Sequence, residues 1–261
     1  MLLQNKNLVI TGVLTDDSIA WHVARVAQEE GAEIVCTGFG RGLRLTERSV
    51  QRLPAPADIL ELDINDPAQV EALTADLDRR WGKVDGALHA IAFAPEDALG
   101  GNFLNTPASS AQTAFITSAF SYKTLAVALR PLLEAAGGGG LVTLDFDNTQ
   151  AWPAYDWMGV AKAALQAVTR YLARDLGAAN IRVNAVSAGP LGTVAAKSIP
   201  GFDAFDRVWQ ERAPLGWDPH NPDAVARMIC VLMSDWAPMT TGEVVHVDGG
   251  FHAVAAGGEP S

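Results

Sequence analysis

Short apolar runs of strand length alternate along this chain with stretches whose apolar positions recur at helical spacing. Asn7–Thr11 reads as a first strand. Ile19, Val23, Val26 and Ala27 then repeat on one helical face, and Gly31 suits the stop. Glu33–Gly38 reads as a second strand and Asp58–Asp63 as a third. Asp66-Pro67 opens a helix that should run to Trp81-Gly82: the carboxylate caps free amides, and proline fits the first helical position. Val84–Ile91 is the fourth expected strand, followed by a polar loop and a long helix over Ser109–Leu133. Gly137–Gly140 reads as a flexible turn before a fifth strand, Leu141–Phe146. A helix over Ala154–Leu176, a strand at Ile181–Val186, a helix over Pro222–Met233 and a strand at Glu243–Val247 complete the series.

Repeated β-α-β alternation predicts an α/β class protein with a parallel sheet covered by helices on both faces. Near-continuous apolar strands such as Leu8-Val9-Ile10 agree with burial on both sides. The expectation is a single domain over residues 1–261, a Rossmann-type three-layer fold with a seven-stranded parallel sheet. The tail over 253–261 reads as flexible. Ligands of such sheets bind beyond the carboxyl ends of the strands, so the strand ends hold the candidate site.

Composition narrows the class. The chain has 261 residues, 49% hydrophobic and 19% charged, long enough to bury a core without metals or staples. A formal net charge of -11 argues against non-specific nucleic-acid binding and obliges an acidic protein partner to dock on a local basic patch. The two cysteines, Cys36 and Cys230, sit in apolar runs and read as buried thiols. No Cys/His cluster has metal-ligand spacing, so no metal is expected. The N-terminal apolar stretch is too short for a signal or a membrane span, so the expected location is the cytoplasm, with no membrane partner.

Gly12 follows the first strand, and Ser18-Ile19-Ala20 opens the first helix. A glycine there allows close approach of a ligand, and the helix N-terminus offers amides to a pyrophosphate. The Gly-x-Gly-x-x-Gly fingerprint is absent, and an ordinary strand-to-helix turn has the same appearance. Asp63, at the third strand end, suits either an adenine amino group or a local cap. The second strand ends in Gly38-Phe39-Gly40-Arg41 and lacks the acid that often binds the adenosine ribose in NAD enzymes. Arg41 and Arg44 suit a 2′-phosphate, or solvent alone.

Tyr155 and Lys162 are seven residues apart, roughly two helical turns, so their directions differ by only about 20°. A nearby lysine favours the phenolate and strengthens the phenol as an acid. The same ammonium suits ribose hydroxyls, while tyrosine polarises a substrate carbonyl as hydride arrives. Such a pair also occurs by chance in helices. Its context is Asp145-Phe146-Asp147 upstream, Ala188-Gly189-Pro190-Leu191-Gly192-Thr193 and Val247-Asp248-Gly249-Gly250 downstream.

In this order the pieces resemble the short-chain dehydrogenase/reductase superfamily. Gly12-x5-Ser18-Ile19-Ala20, Asp145-Phe146-Asp147, Pro153-Ala154-Tyr155-Asp156-Trp157-Met158 and Arg212-Ala213-Pro214-Leu215-Gly216-Trp217 more closely resemble the enoyl-acyl-carrier-protein reductases, above all their mycobacterial InhA-type branch. The resemblance runs from Asn7 to His252. It implies NADH-dependent reduction of the trans-2 double bond of an enoyl thioester on acyl carrier protein, in the elongation cycle of fatty acid biosynthesis, by a homotetramer. Carried over by position, it implies that Tyr155 stabilises the enolate, Lys162 holds the nicotinamide ribose and Phe146 packs beside the nicotinamide. Gly12, Ser18, Ile19, Phe39, Asp63, Ile64, Ala92, Leu191 and Thr193 would line the cofactor. Phe93, Met158, Ala195 and Ile199 would line the substrate, the last two within a substrate-binding loop and helix over 191–217.

The chain departs from that branch in two places. Gly40 replaces an acid after Phe39, and Gly42 is inserted before Leu43-Arg44, which leaves NADPH open beside NADH. The loop between Pro190 and Trp217 is shorter than in the long-chain enzyme, which suits short and medium acyl chains. Lys197, Arg207 and Arg212, in or near this loop, suit the acidic carrier protein. The alternatives are a carbonyl reductase, disfavoured because Gly159 stands where its Tyr-x3-Lys lysine belongs, and a non-catalytic dinucleotide-binding protein.

Overall fold

The computed structural model describes residues 1–197 and 203–255. Among them, seven parallel strands form one sheet in the order β3-β2-β1-β4-β5-β6-β7. These are β1 (Asn7–Ile10), β2 (Glu33–Gly38), β3 (Asp58–Glu61), β4 (Gly86–His89), β5 (Gly139–Asp145), β6 (Ile181–Ala188) and β7 (Val244–Val247). The order reverses between β1 and β4, which pair through Leu8–Gly86, Val9–Ala87 and Ile10–Leu88. The carboxyl ends of these two strands therefore flank the crevice where such folds bind ligands.

Helices cover both faces. On one face lie α1 (Ile19–Glu29), α2 (Leu43–Val50) and a C-terminal helix over Asp223–Met233. Leu8, Ile10, Val23, Ala27, Ile229 and Cys230 meet there in one core cluster. On the other face lie α3 (Pro67–Trp81), α4 (Ala108–Phe115), α5 (Ser121–Ala135) and α6 (Asp156–Leu176). There Val9, Leu77, Leu125, Leu129 and Leu165 form a second cluster. Leu8 and Val9, adjacent in β1, thus point to opposite cores. Cys36 and Cys230 are buried and unbridged, and burial pushes both thiols up to about 12.

Several boundaries differ from the periodicity. The expected Ser109–Leu133 helix is interrupted by a π-helical stretch, Ile116–Phe120. Helix α2 was not foreseen. Gly139 and Gly140 belong to β5 rather than to a turn, because a Cβ on either would lie within 2.4 Å of Asp85 O or 2.7 Å of Met233 Cα. The strand needs glycine to let backbone approach. Between β6 and the helix over Asp223–Met233 lie α7 (Val194–Lys197) and α8 (Asp203–Arg212), so the latter helix is α9.

Of the tail expected from 253, residues 253–255 are placed: Val254 O accepts a bond from Arg212 Nη2 at 2.9 Å. The remainder, 256–261, lies outside the described residues, as does Ile199. Among the described residues no helix is long and apolar enough to cross a membrane. None of their His, Cys, Asp and Glu side chains gather into a group that could hold a metal ion.

Candidate active site

The site is built at the carboxyl ends of β1, β4, β5 and β6. Gly12 follows β1 with φ +77°, and a Cβ there would lie 2.0 Å from Ala90 O. Only glycine fits, because the chain after β4 runs against it. Ser18 is the N-cap of α1 and accepts from Trp21 N at 3.2 Å, while its hydroxyl donates to Thr15 O. Ile19 starts the helix; of the first-turn amides, those of Trp21 and His22 donate to Ser18.

Phe39, after β2, is 53% exposed, and Phe93, after β4, is 55% exposed. Ala92 beside it is exposed too. The backbone N–H of Phe93 donates to Ser118 Oγ, which donates in turn to Phe93 O. The π-helical turn that carries Ser118 therefore fixes this loop. Asp63 lies beyond the end of β3, not within it; its Oδ1 accepts from Asn65 N at 3.0 Å. Ile64 and Leu191 are buried in the two cores. Thr193 Oγ1 accepts from Ala196 N at 3.2 Å and opens α7. Of Ala195 the structure describes only the backbone.

Tyr155 and Lys162 both lie at the N-terminal part of α6, with Tyr155 as N-cap rather than inside the helix. The expected start at Ala154 is displaced because Ala154 and Asp156 have positive φ, +60° and +40°. Both Tyr155 and Lys162 are buried. Phe146 packs edge-on to Tyr155, ring centroids 5.2 Å apart. Tyr155, Met158 and Ala161 form a small cluster that Ala94, Leu99, Phe146 and Trp152 cover. Beyond Phe146 lies an aromatic wall of Trp152, Phe205, Trp209 and Phe251, with Trp209 and Phe251 stacked at 3.8 Å.

Further along α6, Lys162 Nζ donates to Leu144 O at 2.7 Å. Asp145 is buried beside it and accepts from Gln166 Nε2 at 2.7 Å through Oδ2, whereas Oδ1 has no partner. Burial raises Asp145 to about 6, against the pull of Lys162. Burial lowers Lys162, against the pull of Asp145. For Tyr155, burial and then the Asp145 charge raise the pKa well above the ordinary phenol value. This corrects the expectation that Lys162 makes Tyr155 a stronger acid: the ammonium is spent on a carbonyl, and desolvation of the phenolate prevails.

Sequence reasoning passed over His89. It ends β4 fully buried, with Nδ1 2.9 Å from Thr143 Oγ1 and Nε2 2.8 Å from Ser121 Oγ. Burial, then Lys162, lowers it to about 3. A histidine closing the apolar run Gly86-Ala87-Leu88 was the available signal. Asp145 and Trp152 were also passed over as site residues, although Asp145 stands in a quoted segment and Trp152 directly precedes one. The basic groups near the loop divide: Arg207 is exposed, but Arg212 lies 4.2 Å over the Phe251 ring.

A family model described as enoyl-(acyl carrier protein) reductase matches residues 12–252. The chain is 43% identical over 263 residues to the enoyl-acyl-carrier-protein reductase (NADH) of Mycolicibacterium smegmatis, covering 95% of this chain and 97% of that protein. The like-named protein of Mycobacterium avium is 40% identical over 262 residues, with 95% and 97% covered. That of Bacillus subtilis is 39% identical over 259 residues, with 97% and 98% covered. The matched span begins at the Gly12 turn and ends past β7, so it takes in that turn and the carboxyl ends of β4, β5 and β6. On this ground the chain belongs to the enoyl-(acyl carrier protein) reductase family.

Proposed function

We propose that this protein reduces the trans-2 double bond of enoyl thioesters carried on acyl carrier protein, with NADH as hydride donor, as a step of fatty acid biosynthesis. The observation that carries the reading is Tyr155: a buried phenol beside the Phe146 ring, at the start of the helix that also carries the buried Lys162. The names of the relatives, which specify NADH and the carrier protein, support the same reading.

The residues fit a nicotinamide dinucleotide. The Gly12 turn and the first-turn amides of α1 suit a pyrophosphate. The exposed rings of Phe39 and Phe93 sit at the strand ends, where flat groups stack. By family likeness, Asp63 and Ile64 would serve the adenine end, Ala92 the middle, and Leu191 and Thr193 the carboxamide end, Ile64 and Leu191 through their backbone because their side chains pack in the cores. When bound, the dinucleotide supplies the hydride that reaches the β-carbon. Negative charge then develops on the thioester oxygen, and the Tyr155 O–H, fixed in a water-poor setting, donates to it. Lys162, which donates to Leu144 O, would hold the ribose hydroxyls. Phe146 and Met158 hold the reacting carbons against the site and exclude water. The α-carbon takes its proton afterwards, from solvent or the site.

The aromatic wall of Trp152, Phe205 and Phe251, which the described part of the segment 191–217 helps to build, suits short and medium acyl chains. Arg207 is the exposed cation best placed for the acidic carrier protein. Phe115, Phe120, Val127, Val160 and Tyr171 are exposed on α4, the π-helical turn, α5 and α6. Such apolar faces suit a homo-oligomer, a tetramer by family likeness. The free buried thiols suit a cytoplasmic enzyme. Following NADH absorbance with crotonyl and octenoyl thioesters tests the activity. Tyr155→Phe should lower kcat on the order of 10²-fold with NADH binding retained. NADH binding without oxidation, or a fully active Tyr155→Phe enzyme, overturns the proposal.

A further inference from the structure

Tyr155 stands between two residues, Ala154 and Asp156, whose φ values of +60° and +40° belong to the left-handed region. Neither is glycine, so each conformation costs energy and persists only when its surroundings hold it. The surroundings are on the page. Three consecutive N–H groups of the loop after β4 converge on this segment. Gly100 N donates to Ala154 O at 2.9 Å. Gly101 N and Asn102 N both donate to Asp156 Oδ2, at 2.7 and 3.0 Å. Gly100 and Gly101 themselves have φ +77° and +87°, a turn that aims successive amides at one anion. One residue on, Trp157 stacks on Phe103 of the same loop at 5.2 Å and donates through Nε1 to Phe103 O. The loop also carries Ala94 and Leu99, which cover Tyr155 and Met158.

We infer that Asp156 is a positioning residue: its carboxylate, gripped by the Gly101 and Asn102 amides, fixes the backbone on which the Tyr155 phenol is aimed. The loop that covers the substrate side and the residue that meets the developing charge are thereby one mechanical unit. The inference rests on the proposed role of Tyr155. A carboxylate at the first position of α6 also complements the helix N-terminus, so a purely electrostatic role must be separated from a positional one.

Three variants do this. Asp156→Asn keeps an acceptor and loses the charge; its kcat should stay within about threefold of the parent. Asp156→Ala removes the acceptor. Asp156→Glu keeps the charge but moves the oxygens out of register. Both should lower kcat by about 10- to 100-fold, since a misplacement near 1 Å can cost that much. KM for NADH and for the thioester should change little, and thermal melting confirms folding. If Asp156→Ala folds poorly, Asp156→Glu carries the test. In a Tyr155→Phe background the same substitutions should cost nothing further, because residues acting as one unit are not additive. Unchanged kcat in Asp156→Ala and Asp156→Glu overturns the inference. So does an Asn variant no better than Ala, or losses that multiply with Tyr155→Phe. A fully active Tyr155→Phe enzyme instead overturns the proposed function, a distinguishable result.

Discussion

His89 makes the stability of this protein depend on acid in a way that can be worked out in advance. Its ring is fully buried between Thr143 and Ser121 and near Lys162, and its pKa is lowered to about 3. In the unfolded chain the same ring titrates near 6.5. Between these values the unfolded state binds a proton that the folded state refuses, so stability falls as pH falls. The penalty is absent above about pH 6.5 and grows down to about pH 3. At pH 5 the folded state holds almost no proton on His89, so the loss relative to pH 7 is set by the unfolded chain, at about 2 kcal/mol. His89→Gln does not titrate. It is expected to be less stable than the parent at pH 7, but the gap should shrink, or reverse, by about 2 kcal/mol at pH 5. Urea unfolding at both pH values, at one protomer concentration, measures this. Asp145 titrates in an overlapping range with the opposite sign: its raised folded pKa costs stability as pH rises from about 4 to about 6. That contribution is common to both proteins and cancels in the difference. A parent-to-variant gap unchanged within about 0.5 kcal/mol between pH 7 and 5 would show that His89 is not held neutral.

Two further outcomes follow from the backbone. Ala154→Gly relieves a left-handed alanine, which costs about 1–2 kcal/mol, against the extra entropy glycine loses on folding, about 0.5–1 kcal/mol. Urea unfolding should show a net gain near 0.5–1 kcal/mol, and a loss would mean that Ala154 is not strained. A Cβ at Gly40 would meet open space but at φ +54°, so Gly40→Asp should fold with a loss of about 1–2 kcal/mol. Its carboxylate should lower kcat/KM with NADPH about tenfold relative to NADH, and an unchanged ratio would place the 2′-phosphate elsewhere.

The sheet was legible because parallel strands buried on both faces leave unbroken apolar runs, and because caps such as Asp66 and Ser18 mark helix starts. What stayed hidden depends on contacts far apart in sequence. Gly139 and Gly140 read as turn residues until Asp85 and α9 are seen pressing on them. The Tyr155–Lys162 spacing was visible, but the start of α6 was misplaced by positive φ values that no propensity scale contains. Roles for Ile64 and Leu191 were drawn from resemblance, and their side chains pack in the core. His89 and Asp145 escaped for the opposite reason: each is a polar residue at the end of an apolar strand, and only the fold shows how completely each is enclosed.

The same enclosure bears on which reduction the site favours. An enzyme that moves a proton between tyrosine and a substrate oxygen gains from a phenol whose pKa lies near the working pH. Here burial and the Asp145 charge push Tyr155 the other way. A phenol so reluctant to ionise is a poor acid or base, yet it remains a good fixed donor. Conjugate reduction asks for just that: the charge on the thioester oxygen is met by a hydrogen bond while the proton is eventually needed on carbon. Carbonyl reduction would require the phenol to surrender its proton to oxygen. Gly159, standing where a carbonyl reductase needs its lysine, leaves Lys162 to supply the positive charge, and Lys162 is held on Leu144 O beside Asp145. The enclosure of Tyr155 therefore suits the fixed-donor role proposed for it in conjugate reduction.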